Sequence, residues 1–213
     1  MKNKILLGLL ATGLTLTSCS KWLDVNDDPN HATIETVTAS YLLTSVQNDL
    51  TGERAGYLAG SSYYGFYNWA QMLTKSGDYS GAYVYLSGQV TSATFNTFWA
   101  NRYARLANIK AMKTKAEEAG DKSLLGVAQT LEVIQFQELV DIYGDVPFSQ
   151  ASQGGDALSP EYEKAEDIYK AIIAEIQEAE KNLDGGNLKS YAATDIYFGG
   201  SAASWYKFAN SME

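Results

Sequence analysis

The side chains that could do chemistry fall into three sets: carboxylates in the first forty residues and around Tyr143, a run of aromatic and amide side chains, and one thiol. The carboxylates come first. Asp24, Asn26, Asp28, Asn30 and Glu35 occupy positions 1, 3, 5, 7 and 12 of an EF-hand-like calcium loop. Position 6 is Pro29. That position needs a glycine in the left-handed region, and proline fixes φ near −65°. The stretch therefore reads as a solvated Asn/Asp-Pro turn, and no metal site is expected. Asp27-Asp28 and Glu117-Glu118 are adjacent pairs. On a regular element such neighbours point apart, unlike the facing carboxylates of a glycosidase. Tyr143-Gly144-Asp145 reads as a helix stop followed by a turn. His31 is the one histidine, which leaves too little imidazole for a zinc site or a histidine-based triad. No glycine-rich phosphate loop, Gly-x-Ser-x-Gly or His-Glu-x-x-His occurs. No catalytic residue is expected.

The second set suits binding. Nine aromatic rings lie between Tyr57 and Tyr85, interleaved with glycines and lacking a sustained helical period. This predicts turns that carry rings, with a helix in part of it, Tyr63 to Lys75. Sugars have apolar CH faces and polar rims, so their binders use flat rings beside hydroxyl and amide groups. Tyr63, Tyr64, Tyr67, Asn68, Trp69, Gln71 and Asp78 supply these and are the ligand-binding candidates. Some of these rings must pack in a core instead. Trp99, Phe136 and Trp205 lie on helical faces and are assigned to the core.

The third set is Cys19, the sole cysteine, so no disulfide can form within the chain. It follows Met-Lys-Asn-Lys and the apolar run Ile5 to Leu16. A basic head, a short apolar stretch and small residues make a secretory signal peptide. Twelve helical residues span about 18 Å, short of the roughly 30 Å hydrocarbon core, so a transmembrane anchor is not expected. "LTSC" resembles the lipobox of bacterial lipoproteins, with Leu16 at −3 and Ser18 at −1. The resemblance implies cleavage after Ser18 and an N-terminal lipid on Cys19, the only attached group expected. Acyl chains would then hold the chain to the membrane at roughly 0.8 kcal/mol per buried CH₂.

Net charge is −9, and removing residues 1–18 takes Lys2 and Lys4 with it. So acidic a chain lacks the cations that nucleic acid or an anionic lipid surface requires.

Helices must position these groups. "TASYLLTSVQNDL" puts Tyr41 or Leu42, Val46 and Leu50 on one face. From Phe95 to Ala119, the residues Phe95, Trp99, Arg102 or Tyr103, Leu106, Ile109 and Met112 predict a helix that stops at Gly120. Leu124 to Tyr143 has a wide apolar arc and should be buried on more than one side. Ser159 to Leu183 carries Ala165, Ile168, Ile172, Ile176, Ala179 and Leu183, with Ser159 as cap, Pro160 in the first turn and Gly185-Gly186 as stop. A last helix begins near Ser201. The fold class is all-α: tetratricopeptide-like helical pairs with irregular aromatic-rich insertions. The expected organisation is a signal peptide over 1–18, a tether over 19–37 and a helical domain over 38–213.

Four segments, in order, are similar to the SusD/RagB family: "CSKWLDVNDDPNHAT", "ELVDIYGDVPFSQA" (Glu138–Ala151), "SPEYEKAEDIYKAIIAEIQEA" and "GSAASWYKFANSM". The resemblance implies a helical, solenoid-like lipoprotein on the outer face of the outer membrane. Such proteins cap a SusC-like TonB-dependent transporter, bind glycans or other nutrients and carry out no reaction. Family members are longer, so a C-terminally truncated form is expected here. No family binding residue maps onto a matched motif. Two other readings of the residues are a lipid-anchored glycoside hydrolase and a transporter accessory protein without its own ligand site.

Overall fold

The computed structural model describes residues 36–58, 95–151 and 159–213. In chain order they form α1 (Ala39–Leu58), α2 (Asn96–Ala119), α3 (Lys122–Tyr143), β1 (Val146–Pro147), β2 (Tyr162–Glu163), α4 (Ala165–Leu183), a 3₁₀ turn (Lys189–Tyr191) and α5 (Ala202–Asn210). The all-α architecture holds. Two residues join α2 to α3, and cross-links between Arg102 and Gln135 and between Tyr143 and Phe95 show the pair running antiparallel. Gln129–Asn182 and Asp141–Tyr169 contacts do the same for α3 and α4, and Glu180–Asn210 with Gln177–Glu213, just past α5, for α4 and α5.

Each helix follows from its local chemistry. Gly120 takes φ 65° and closes α2 in the left-handed conformation, which only glycine adopts without a Cβ penalty. Asp121 next to it caps α3, its Oδ1 accepting from the Leu124 N–H at 3.0 Å. Helix α3 is central. Leu124, Val127, Leu131, Ile134 and Leu139 are at most 1% exposed, and Val133 and Phe136 are buried beside them. Both sides of the helix are covered, as its wide apolar arc predicts. Gly126 lets α4 come close: a Cβ there would lie 2.7 Å from Leu183 Cγ and 2.9 Å from the Ala179 carbonyl oxygen. Helix α4 buries Ile168, Ile172, Ile176, Ala179 and Leu183, one stripe of a 3.6-residue period. Each buried isoleucine contributes about 1.5–3 kcal/mol.

Helix α1 buries Leu42, Leu43, Val46 and Leu50, while Tyr41 is 64% exposed, which settles the choice between Tyr41 and Leu42. Its Gln47, fully buried, reaches the loop ahead of α5. The Gln47 amide nitrogen donates to Asp195 Oδ1 at 2.7 Å, and its amide oxygen accepts from the Ile196 N–H at 2.9 Å. Asp195 also accepts from the Trp205 indole N–H at 2.8 Å and from the backbone N–H groups of Gly200, Tyr197 and Phe198. Helix α5 begins at Ala202, next to the Ser201 start that the sequence predicts; Ser201 caps it, with Trp205 completely buried under it.

Two expectations change. Helix α4 starts at Ala165, not Ser159, because residues 162–163 pair with β1 in an antiparallel two-residue ladder, Val146 opposite Glu163 and Pro147 opposite Tyr162. Its cap comes from outside the helix: Asp145 Oδ1 accepts from the Ala165 N–H at 3.0 Å, and Oδ2 pairs with Lys164 Nζ at 2.6 Å. On α2 the buried stripe runs Phe98, Arg102, Arg105, Leu106, Ile109, Met112, Ala116. Phe95 and Trp99 stay partly exposed, which corrects the assignment of Trp99 to the core; Phe136 and Trp205 do belong there.

Candidate functional site

Trp99, Tyr103, Leu106, Lys110, Lys113 and Glu117 recur at spacings of three and four, so they share one side of α2. That side carries rings at one end and charges at the other.

At the ring end, Trp99 lies 4.9 Å from Tyr103 and 4.9 Å from Tyr143, the latter edge-on at 90°. Such tilted and edge-on pairs are the favoured aromatic geometries. Both tyrosines are pinned by their hydroxyls. Tyr103 donates to the Pro147 carbonyl at 2.8 Å and Tyr143 to the Phe95 carbonyl at 2.7 Å. Burial, and then the neighbouring Tyr162 and Tyr143 phenols, push the Tyr103 hydroxyl well above its ordinary value, so it stays a donor. Tyr162 completes the group. Its ring lies near-parallel to Trp99, 24° between planes and 6.1 Å between centroids, and the residue is 67% exposed.

At the charged end, α2, α3, α4 and the chain after β1 enclose a cleft of about 330 Å³. Its apolar lining includes Leu106, Val133, Phe136, Phe148 and Ile172. Lys113 spans it, bonded to Glu132 of α3 and, at 2.7 Å, to Glu175 of α4. Burial pulls the Lys113 ammonium down, but Glu132 and Glu175 outweigh this and hold it above its ordinary value. For Glu132 the balance falls the other way. Burial wins over the attraction of Lys113, and the carboxyl is held above its usual range. The lysine is thus a firm cation, and Glu132 is the costly member of the triad. Three helices are cross-linked through one ammonium.

Behind the ring end, two arginines enter the α2–α3 interface. Arg102 and Arg105 both donate to the Gln135 amide oxygen at 2.9 Å, Arg102 Nη2 lies 2.5 Å from Glu138, and its guanidinium stacks 4.3 Å over Phe98. Sequence reading placed Arg102, or Tyr103 beside it, in the helical series of α2 and did not single out Arg105. Their place on the Phe98–Met112 face was the available signal.

Cys19, the Asp24–Glu35 set and all seven ring-segment candidates (Tyr63, Tyr64, Tyr67, Asn68, Trp69, Gln71, Asp78) lie outside the described residues. Asp145 proves to be a helix cap, and Glu117 and Glu118 are both exposed, with Glu117 on the cleft rim. Trp99 and Tyr162 are the rings that sequence reading did not select. The signal at Tyr162 was an aromatic isolated among charges, Pro-Glu-Tyr-Glu-Lys.

The architecture is an all-α stack of antiparallel helix pairs with a clustered, partly exposed ring surface at one end of α2. The chain belongs to the SusD-like family: the family model described as "Starch-binding associating with outer membrane" matches residues 29–213. Among solved structures, it is similar to a SusD/RagB family protein from Bacteroides thetaiotaomicron. Identity is 21% and the TM-score 0.59, over 81% of this chain and 36% of that one. It is also similar to a chitin-binding protein at 24% identity and a TM-score of 0.66, over 82% of this chain and 37% of that one. The likeness at these identities is one of fold, and the chain spans little more than a third of either protein. No curated protein matches it. Among the described residues no helix is long and apolar enough to cross a membrane.

Proposed function

We propose that the chain belongs to a cell-surface lipoprotein that captures a nutrient glycan and delivers it to a SusC-like TonB-dependent transporter without chemical change. The family match over residues 29–213 carries this reading. The ring-rich segment from Tyr63 to Asp78 is the proposed ligand contact, and Cys19 is the proposed lipid anchor, holding an acidic chain to the membrane by acyl chains rather than charge.

Native electrophoresis through gels containing soluble starch or glycol chitin tests the binding. The expected result is retardation of the full chain in one of these gels with no release of reducing sugar. Sugar release abolished by a single Asp or Glu substitution would establish the hydrolase instead. Co-purification with a transporter in the absence of any retardation would establish the accessory role.

The anchor has its own test. Intact mass of protein taken from native envelopes should show Cys19 as the first residue, bearing acyl groups. Cys19→Ser should leave the protein with its leader attached and no fatty adduct. Wild-type protein cut at Cys19 but unmodified would sink the proposal.

A further inference from the structure

We infer that Trp99 and Tyr162 form a stacking subsite for a neutral pyranose ring. The inference rests on the glycan reading above and gives it a location that sequence did not.

Exposed tyrosines are common, and one on a loose loop would lose much of its binding energy to ordering. Tyr162 is held differently. Its own backbone pairs with Pro147 in the β1–β2 ladder. On one side, the Glu161 N–H donates to the Gln150 amide oxygen at 3.2 Å. On the other, Glu163 accepts from the Phe148 and Ser149 N–H groups. Three successive residues are tied down, yet the side chain remains 67% exposed. Its ring lies near-parallel to Trp99, with 6.1 Å between centroids, and with the residue 67% exposed this leaves ring surface available to a ligand. Trp99 is wedged in turn by Tyr103 and Tyr143, whose hydroxyls are anchored on carbonyl groups. The platform is rigid before any ligand arrives.

Its polar edge specifies the ligand. Neither the Trp99 indole N–H nor the Tyr162 hydroxyl has a hydrogen-bond partner among the described residues, and neither atom is buried without one. An apolar partner surface would leave both unsatisfied on burial, at a cost. A sugar ring satisfies both requirements, with CH groups against the ring face and hydroxyls at the edge. The neighbouring charges argue for a neutral sugar. Lys164 is paired with Asp145, Glu163 is occupied by backbone N–H groups, and Glu161 is exposed, where it repels an acidic ligand.

The test uses the full chain, in gels of starch and of glycol chitin, followed by calorimetric titration with maltoheptaose or chitohexaose according to the gel that retards it. Tyr162→Ala should weaken binding about tenfold, and Tyr162→Phe, which keeps the stack and loses the hydroxyl, about threefold. Trp99→Phe should weaken it by a similar few-fold amount. Since Tyr162 is exposed, its variants should melt with the wild type, so a loss of affinity is not a loss of fold. Wild-type affinity in Tyr162→Ala overturns the subsite and leaves the glycan reading standing. Failure of the wild type to bind either polymer or either oligosaccharide overturns both.

Discussion

Asp195→Ala lowers the stability of the helical domain by about 3–5 kcal/mol, a large share of the 5–15 kcal/mol typical of a domain. The carboxylate is 4% exposed and gathers donors from three places: Gln47 on α1, Trp205 on α5, and the backbone of residues 197, 198 and 200. Alanine leaves the buried Gln47 amide and Trp205 indole N–H groups without an acceptor, and the full desolvation cost of each then falls on the fold. Urea denaturation should show the loss in the midpoint, and the melting temperature should fall by about 10 °C. Asp195→Asn keeps the shape but turns an NH₂ group toward donors, and should cost about 2 kcal/mol.

The pH dependence separates a charge effect from a packing effect. Burial raises the Asp195 carboxyl, but the donors from Gln47, Trp205, Gly200 and Phe198 outweigh it and hold it below the usual carboxylate range. A depressed group stabilises fully above its unfolded pKa, about 3.9, and loses that contribution as pH falls through the folded value. The stability gap between wild type and Asp195→Asn should therefore be flat from pH 5 to 7 and close below about pH 4. A gap that persists unchanged to pH 2.5 would show that the carboxylate charge has no part in it.

Asp195 also marks the boundary of what sequence makes legible. The helices themselves are local. Gly120, Ser201 and the isoleucine stripe of α4 announce their elements within a few residues, and the structure places all three as read. Features that depend on distant partners were not visible. Gln47 meets Asp195 across 148 positions. The start of α4 is set by Asp145, twenty residues upstream, so the nearby Ser159-Pro160 signal misled. Arg102 and Arg105 are buried because Gln135 and Glu138 lie on the antiparallel neighbour, and a hydropathy pattern does not encode that pairing. The ring surface divides in the same way. Composition pointed to Tyr63–Asp78, outside the described residues, while Trp99 and Tyr162 meet only through the β1–β2 ladder.

The second large effect is expected at Lys113. Lys113→Met should cost about 2–3 kcal/mol at pH 7, since breaking a partly buried pair strands the remaining charges. Here it strands two. Glu132 and Glu175, with side chains 21% and 29% exposed, face one lysine from different helices. Without the ammonium they repel each other, and Glu132, already raised by burial, loses the attraction that offset it. A group with a raised folded pKa is least costly when protonated, so its stabilising balance is full below the unfolded value of about 4.3 and is lost as pH rises through the folded value. The variant should thus lie close to wild type near pH 4.5 and fall away as pH rises toward 7. In the wild type, Lys113 is itself raised, so its contribution persists up to its ordinary value near 10.5 and is lost only at more alkaline pH. Adding Glu132→Gln to the variant removes one stranded charge and should recover more than half of the loss at pH 7. Chemical denaturation at pH 4.5, 7 and 8 measures all of this. A deficit of equal size at each pH, unrelieved by Glu132→Gln, would mean that the methylene stem of Lys113 packs the cleft and its charge does not cross-link the three helices.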